Sequence, residues 1–310
     1  MFSIRTKNNL SLQNYKSRYS LSNLPTITTH FSMINHAKDS FASSNVVLKS
    51  VIDTNIALNE IQSLLHLNHI PHIAKLLNYY DQNNAKVLVF PKYSPISLKN
   101  VDLAKVALYT TQLITILAQI HDAGYSHLDV TPSNIMLDDH MHLTLIDFGL
   151  ARKFDDDIPA GCGTPGYIAP ETYVGKESYG AADIYSAGII IGQLLEIYLP
   201  GISLNYLGSK LVRHTTTTFI CKKIDSIKQD GCDWAPIMFL AADLLSKMLQ
   251  EEPANRLSAK EILDHPFLKA DPSQFIGFDF DTYSKKIISQ PLIPRRSTNP
   301  APKVYYRGRS

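Results

Sequence analysis

Two short motifs, thirteen residues apart, constrain this chain more than any other feature. The first runs over 127–134 with the sequence His-Leu-Asp-Val-Thr-Pro-Ser-Asn, and the second is Asp-Phe-Gly at 147–149. They place a carboxylate that can act as a base, Asp129, on a loop next to two oxygen ligands for a hard cation, Asn134 and Asp147. Phosphoryl transfer requires positioned phosphates, neutralised charge and an oriented hydroxyl, and these three side chains suit those tasks.

Further residues occur in the order found in eukaryotic protein kinases, and on these motifs the chain resembles that family. They are Lys49, Glu60, the two motifs above, Ala169-Pro170-Glu171, Asp183 and Arg256. A chance Asp-Phe-Gly turn in an unrelated α/β domain is the competing interpretation, and the sequence order of seven elements speaks against it. The resemblance implies an α+β, bilobal protein kinase fold. Its N-lobe would be small and mainly β with one helix, and its C-lobe larger and mainly helical.

Composition and periodicity divide the chain into four segments. Residues 1–20 are polar and predict a flexible N-terminal arm. Strand-like runs and one helical pattern over 21–90 predict the N-lobe, and helical patterns over 91–269 predict the C-lobe. The last segment, 270–310, is rich in Pro and Arg and predicts a disordered tail. A solvated tail is its simplest interpretation, with an acidic partner or a nuclear address as alternatives.

The overall composition limits the partners and the compartment. A formal net charge of +2 gives no bulk attraction to nucleic acid or to a membrane surface. The start of the chain lacks the apolar core of a signal peptide, and no run reaches the roughly 18 apolar residues of a membrane span. Three cysteines without a ligand or pairing pattern favour a reduced setting. We therefore expect an intracellular protein, cytoplasmic or nuclear, with neither nucleic acid nor membrane as a partner.

The family resemblance assigns residues to a site for ATP. Lys49 would hold the α- and β-phosphates, with Glu60 as its ion-pair partner. Only eleven positions separate them, fewer than the family usually has, so we expect the helix that carries Glu60 to start late or to sit differently. The other nucleotide-binding residues would be Ile27, Ile34, Val47, the gatekeeper Phe90, the hinge residues Pro91 and Tyr93, and Met136.

The same resemblance assigns the catalytic roles. Asp129 would orient the hydroxyl of the substrate, while Asn134 and Asp147 would bind Mg²⁺. Together with Lys49 these three residues form the expected catalytic set. His127 would be a packed histidine that holds its loop against Phe148. Asp183 would anchor that loop from a central helix, and Glu171 with Arg256 would form a buried, structural ion pair.

Three departures from the family pattern bear on activity. The phosphate loop lacks its glycines, because Ile27, Thr29 and Ser32 occupy the three glycine sites, and this speaks for weaker nucleotide binding. Leu128 replaces the arginine that receives an activation-loop phosphate, and the loop over 150–163 contains no Ser, Thr or Tyr. We therefore expect any activity to be independent of phosphorylation there. Thr131 replaces a lysine, which predicts slower chemistry.

Three functions remain open from the sequence. The segment over 163–171 resembles the substrate-binding segment of Ser/Thr kinases, so the main hypothesis is transfer of the ATP γ-phosphate to protein hydroxyls, with a regulatory subunit as a further candidate partner. A pseudokinase scaffold is the alternative, favoured by the missing glycines. A small-molecule kinase is disfavoured by Glu171, Asp183 and Arg256. Some motifs are similar to cell-division-cycle replication kinases and others to Wee-type kinases, so the subfamily stays open.

Overall fold

An antiparallel sheet of six strands forms the N-terminal part of the protein. The computed structural model describes residues 17–29, 32–82, 85–97, 101–175, 178–195 and 235–271. The strands are β1 (Tyr19–Leu21), β2 (Ile27–Thr28), β3 (Ser32–Asp39), β4 (Ser44–Val51), β5 (Asn78–Gln82) and β6 (Ala85–Pro91). Their order is β1-β3-β4-β6-β5, with β2 paired to the other end of β3. The mainly β character predicted for the N-lobe is confirmed.

Side chains that alternate along these strands build an apolar core on one face of the sheet. The cluster consists of Tyr19, Ala37, Val46, Leu48, Tyr80, Val87 and Val89. Within it the hydroxyls of Tyr19 and Tyr80 lie 3.2 Å apart, so that two buried phenols satisfy each other. Because β1 starts at Tyr19, the sheet takes in the end of the segment 1–20 that the sequence analysis assigned to an arm. Residues 1–16 lie outside the described residues.

Helix α1 (Thr54–His66) follows β4 after a connection of two residues. The carboxylate of Asp53 caps the helix by accepting hydrogen bonds from the N–H groups of Asn55 and Ile56. The sequence analysis gave a late start of this helix as one of two alternatives. That alternative is wrong, because the helix begins at Thr54. The short spacing between Lys49 and Glu60 is absorbed by the tight connection, which leaves Glu60 on the buried face of α1.

The rest of the described chain is mainly helical, as predicted. The helices are α2 (Leu103–Asp122), α3 (Ala181–Leu195), α4 (Ala235–Met248), α5 (Ala259–Leu263) and α6 (Pro266–Lys269). Short strands flank the loops that carry the two sequence motifs. They are β7 (Ser94–Pro95), β9 (Ile135–Leu137) and β10 (Leu143–Leu145) in one sheet, and β8 (Tyr125–Ser126) with β11 (Arg152–Lys153) in another.

Helix α2 is the one helix of the described residues that is long and apolar enough to cross a membrane. Length and composition do not separate such a helix from the core helix of a folded domain. Over its most apolar window, 56% of the residues are buried inside the protein. The buried side chains include Val106, Leu113 and Leu117, which recur at the three- and four-residue spacing of one helix face.

Several sequence predictions fall outside the described residues. The Pro- and Arg-rich tail over 272–310 and the helical pattern beyond Leu195 are among them, as are Cys221 and Cys232. The remaining cysteine, Cys162, is a free and half-buried thiol.

A buried ion pair joins the short 3₁₀ helix Pro170–Val174 to the chain that precedes α5. The guanidinium of Arg256 donates to both carboxylate oxygens of Glu171, with 2.7 Å between Nη2 and Oε2. Its remaining N–H groups donate to the carbonyl oxygens of Gln250, Glu251 and Ala181. Both side chains are almost fully buried, since that of Arg256 is 0% exposed and that of Glu171 is 3% exposed. Such a charge is tolerated because every donor of the guanidinium has an acceptor.

Substitution Glu171→Gln should destabilise the protein, because it leaves the buried charge of Arg256 without its counter-ion. We expect the free energy of unfolding to fall by about 3–5 kcal/mol. Urea unfolding followed by circular dichroism measures the change. The matched control is Lys260→Gln, which breaks an exposed ion pair with Asp122 and should cost under about 1 kcal/mol. Equal losses in the two variants would contradict the assignment.

Candidate active site

Three charged side chains from separate elements meet at the centre of the candidate site. Lys49 lies on β4, Glu60 on α1, and Asp147 in the loop after β10. The Lys49 ammonium donates to Glu60 Oε1 at 3.0 Å and Oε2 at 2.9 Å, and to Asp147 Oδ1 at 2.7 Å. Glu60 is fully buried, whereas the Asp147 side chain is 38% exposed. Asp147 thus has one side on the ion pair and one side open to a ligand.

Burial and mutual charge shift the pKa values of this trio in different directions. Burial would lower the pKa of Lys49, but the carboxylates of Glu60 and Asp147 outweigh it and raise that pKa. Burial raises the pKa of Glu60, and the Lys49 ammonium offsets this only in part. For Asp147 the ammonium prevails over burial, so its pKa is lowered. The more exposed carboxylate is therefore the one held most firmly as an anion.

The carboxylate of Asp183 fixes the backbone of the loop over 127–134, which is the catalytic loop implied by the family resemblance. It accepts hydrogen bonds from the N–H groups of His127 and Leu128, both at 2.8 Å, and it lies 2.9 Å from Nε2 of His121. Leu128 has a φ of 64°, a left-handed conformation that is costly for a residue with a branched side chain. A fully buried anion on the first turn of α3 thus stabilises a strained backbone.

His127 packs this loop against the Asp-Phe-Gly motif. Its ring meets the Phe148 ring edge to face, with centroids 4.7 Å apart. Nε2 of His127 lies 3.0 Å from the carbonyl oxygen of Ile146, and the ring is fully buried. Its surroundings are those of a packed structural histidine, as the family resemblance implies.

Hydrogen bonds from two directions orient the carboxylate of Asp129. Asn134 donates from Nδ2 to Oδ2 at 2.9 Å, while the backbone N–H and hydroxyl of Thr164 donate to Oδ1 at 2.9 and 2.7 Å. Close passage of the chain before Thr164 requires glycine. A Cβ on Gly163 would lie 2.7 Å from the carbonyl oxygen of Leu128, and the φ of Gly163 is 113°. The activation segment and the catalytic loop are therefore in direct contact.

The oxygens of Asn134 and Asp147 suit a hard cation. Nδ2 of Asn134 is engaged with Asp129, whereas no hydrogen bond within the described part of the chain reaches its Oδ1. Asp147 likewise uses Oδ1 for Lys49 and for the N–H of Gly149, and its Oδ2 accepts no bond from the described residues. One amide oxygen and one carboxylate oxygen thus remain available, which fits the ligand preference of Mg²⁺.

Most of the residues assigned to the nucleotide lie on the sheet and on β9. Cross-strand pairing sets Ile34 beside Lys49, and Val47 beside Phe90 at the end of the sheet where Pro91 closes β6. Ile27 on β2 is 52% exposed and pairs with Ile34, and Met136 is half-buried at the middle of β9. The hydroxyl of Tyr93 accepts a hydrogen bond from the N–H of Lys75 and so contributes to packing.

The turn between β2 and β3 closes on itself. The N–H of Thr29 donates to the carbonyl oxygen of Ser32 at 2.8 Å, and the N–H of Ser32 donates to Oγ1 of Thr29 at 3.0 Å. The two hydroxyl oxygens lie 2.9 Å apart. These are two of the three sites where the family has glycine, and both backbone N–H groups are committed within the turn.

Asn59 is a residue of this site that the sequence analysis missed. Its amide donates to the carbonyl oxygens of Gly149 and Ala151, both at 2.9 Å, and approaches that of Phe148 at 3.4 Å. Helix α1 is thereby tied to the chain that follows Asp147. The only signal in the sequence is that Asn59 precedes Glu60, which says nothing of carbonyl groups about ninety residues away. The contacts of Thr164 with Asp129 and of His121 with Asp183 were also missed, because the partners are far apart in the sequence.

The two substitutions in the catalytic loop have clear structural consequences. Leu128 is buried, with 6% exposure, where an arginine would reach for a phosphate. Thr131 is 1% exposed and its hydroxyl lies 2.9 Å from that of Ser133. Both positions therefore contribute packing and a local hydrogen bond, and neither presents a cation.

Comparison with known proteins agrees with this geometry. The sequence pattern of the protein kinase domain matches residues 28–268, and the chain belongs to that family. It is 32% identical over 223 residues to the maternal embryonic leucine zipper kinase of Xenopus tropicalis, which covers 67% of this chain and 32% of the relative. It is 34% identical over 201 residues to the probable serine/threonine-protein kinase CCRP1 of Zea mays. That match covers 62% of this chain and 30% of the relative.

A third relative is the serine/threonine-protein kinase AtPK2/AtPK19 of Arabidopsis thaliana. The identity is 36% over 181 residues, which covers 54% of this chain and 34% of the relative. The chain thus spans about a third of the length of these curated relatives. What the relatives share with it is the kinase domain.

Acid should remove the contribution of Asp183 to stability. Burial acts to raise its pKa, but the hydrogen bonds and charge of its histidine and backbone partners hold that pKa below the usual value. Because the folded-state pKa lies below the unfolded-state value of about 3.9, the contribution is complete above about pH 5, falls as the unfolded state takes up protons near pH 4, and is lost as the pH falls through the folded-state pKa.

Urea unfolding of the protein and its Asp183→Asn variant at a series of pH values measures this. We expect the variant to be less stable by about 1–3 kcal/mol near neutral pH, because two backbone donors lose a charged acceptor. The difference should shrink below about pH 4. The control Asp157→Asn, at an exposed position, should stay within about 0.5 kcal/mol throughout. A difference that does not depend on pH would refute the role of the ionised carboxylate.

Proposed function

We propose that this chain is an active protein kinase that transfers the γ-phosphate of ATP to serine and threonine hydroxyls of proteins. The observation that carries the proposal is the contact of the Lys49 ammonium with Glu60 and Asp147 at once. Family membership implies ATP as the phosphate donor and a protein as the acceptor. Serine/threonine specificity is supported by relatives described as serine/threonine-protein kinases.

Each catalytic side chain then has a distinct task. Lys49, oriented by Glu60, binds the α- and β-phosphates as a point charge. Asp129, held by Asn134 and Thr164, orients the substrate hydroxyl and accepts its proton. Asn134 and Asp147 would hold Mg²⁺ through their available oxygens, and the bound ion would supply positive charge to neutralise the phosphates.

The residues around the adenine are proposed from their positions. Val47 forms the roof and Met136 the floor, with Phe90 as the gatekeeper and the chain from Pro91 to Tyr93 as the hinge. Ile27 and Ile34 flank the phosphate loop. The closed turn at Thr29 and Ser32 leaves fewer backbone N–H groups for the phosphates, which favours weak nucleotide binding.

Activity is proposed to be independent of phosphorylation in the activation loop. The loop over 150–163 has no hydroxyl to modify, and Leu128 is buried where a phosphate receptor would be. No ion pair between an arginine and a phosphate can form at Leu128. Instead, Asn59 ties α1 to the carbonyl groups of Gly149 and Ala151, which follow Asp147. The same contact keeps Glu60 in reach of Lys49.

Some aspects of the function follow from the sequence alone and stay proposals. They are the boundaries of the arm, the lobes and the tail, an intracellular location that is cytoplasmic or nuclear, a regulatory subunit, and membership of the cell-division-cycle or Wee-type groups.

A scaffold that binds partners without transferring phosphate is the second candidate. The specific observation in its favour is the glycine-free turn between β2 and β3, in which the N–H groups of Thr29 and Ser32 are already bonded to each other's residues. Against it stand all four charge-handling residues, Lys49, Asp129, Asn134 and Asp147.

Transfer of phosphate from ATP and Mg²⁺ to a mixed panel of proteins tests the proposal directly. The chain is first treated with a phosphatase, and its activity is compared with that of the Asp147→Asn variant and the exposed control Asp139→Asn. We expect transfer by the treated chain and the control, and at least a hundredfold less by Asp147→Asn, because an essential anion for the metal is lost.

The remaining outcomes separate the alternatives. Transfer only before phosphatase treatment would identify a kinase that depends on phosphorylation. No transfer by any folded sample would favour the scaffold.

Asn59→Asp should lower turnover while the protein remains folded. The change keeps the shape of the side chain but replaces two N–H donors by a carboxylate that faces the carbonyl groups of Gly149 and Ala151. Loss of about 1–3 kcal/mol in this contact, if it is expressed fully in the transition state, corresponds to a decrease of about 5- to 150-fold in kcat. Steady-state kinetics measure it, with Asn55→Asp at an exposed position of the same helix as the control. Equal turnover of the two variants would exclude a positioning role for Asn59.

A further inference from the structure

Outside the candidate active site, three side chains of types that can ligate a metal converge at the protein surface. They are His72, in the turn that follows α1, and Asp138 and His142, which flank the turn between β9 and β10. One ligand atom from each lies within 4.8 Å of the other two. Nothing in the proposed phosphoryl transfer uses these groups.

The Asp138 carboxylate is fixed so that one oxygen faces the two imidazoles. Oδ1 accepts hydrogen bonds from the N–H groups of His140 and His142, at 2.9 and 2.8 Å. Oδ2 lies 3.8 Å from Nδ1 of His72 and 3.7 Å from Nδ1 of His142. Burial would raise the pKa of Asp138, but the backbone donors outweigh it, so the group stays an anionic ligand.

The distances within the cluster suit an ion better than direct hydrogen bonds. Contacts of 3.7 and 3.8 Å exceed hydrogen-bonding range. Around a tetrahedral Zn²⁺ with ligands at about 2.0–2.1 Å, the ligand atoms are about 3.3–3.4 Å apart. The imidazoles of His72 and His142 are 41% and 52% exposed. They are therefore free to rotate, and the distances between ligand atoms need to shorten by only about 0.3–1.5 Å for coordination.

Backbone hydrogen bonds hold the two segments together before any ion binds. The N–H of Leu145 donates to the carbonyl oxygen of His72 at 3.0 Å, and the N–H of Ala74 donates to that of Leu145 at 2.8 Å. The turn itself is closed by a bond of 3.0 Å from the N–H of Asp138 to the carbonyl oxygen of His142. The ligands are thus presented by a fixed framework, which lowers the entropic cost of binding.

We propose that His72, Asp138 and His142 form a surface site for Zn²⁺, with water as the fourth ligand. Two imidazoles and one carboxylate are a ligand set that zinc accepts, whereas Mg²⁺ and Ca²⁺ prefer oxygen ligands alone. The bound ion would link two turns. One follows α1, which carries Glu60, and the other follows β9, which carries Met136. Zinc should therefore stabilise the folded state, and the gain should grow with the logarithm of the Zn²⁺ concentration above the dissociation constant.

Calorimetric titration of the full chain with Zn²⁺, after removal of metals by a chelator, tests the site. We expect one binding event per chain that is weakened at least tenfold in His72→Asn and in His142→Asn, because each loses a ligand. Asn is chosen at position 72 because His72 has a φ of 60°, which Asn adopts at little cost. The control is His140→Asn, whose side chain is in the same turn but outside the cluster and which should bind like the unsubstituted chain.

Two further measurements make the outcome decisive. Co²⁺ should give the visible absorption of a tetrahedral complex that is lost in the first two variants and kept in the control. Zn²⁺ should raise the melting temperature of the unsubstituted chain and of the His140→Asn control, and it should raise that of the other two variants less. Zinc binding that is unchanged in both His72→Asn and His142→Asn, or absent from the unsubstituted chain, would overturn the proposal. None of these readouts depends on kinase activity.

Discussion

The contact of one ammonium group with two carboxylates is the interaction on which the rest of the site depends. Lys49, Glu60 and Asp147 come from a strand, a helix and a loop, so their contact is possible only when these elements are correctly packed. Glu60 would be a costly buried charge without Lys49, and Lys49 would be one without the two carboxylates. The trio therefore joins the packing of the N-lobe to the position of the Asp-Phe-Gly motif.

Neighbouring contacts keep that arrangement rigid by occupying backbone groups. Asp183 binds two N–H groups of the catalytic loop, and Asn59 binds carbonyl groups of the activation segment. In both cases a side chain on a helix replaces the hydrogen bonds that an irregular loop cannot make with itself. Leu128 can keep its left-handed backbone conformation because Asp183 compensates for the strain.

Sequence reasoning succeeded where a residue type has one task and the order of motifs is informative. It predicted the bilobal protein kinase fold and Glu60 as the ion-pair partner of Lys49, and it interpreted His127 as a packed histidine. It failed where the partner of a side chain is a backbone group far along the chain, as for Asn59, because carbonyl positions leave no mark in the sequence. Of its two alternatives for the helix that carries Glu60, a late start was wrong, since α1 begins at Thr54 after a short connection capped by Asp53.

The sequence by itself determined the family, the class of fold and the set of charged residues available for chemistry, because these depend on residue type and order. Only the tertiary structure decided which of those charges meet, which N–H groups remain available to a ligand, and that His72 lies beside Asp138 and His142. These properties arise from distances between segments that are far apart in the chain. Such distances are set by the packing of the whole domain, which no local pattern of residues records.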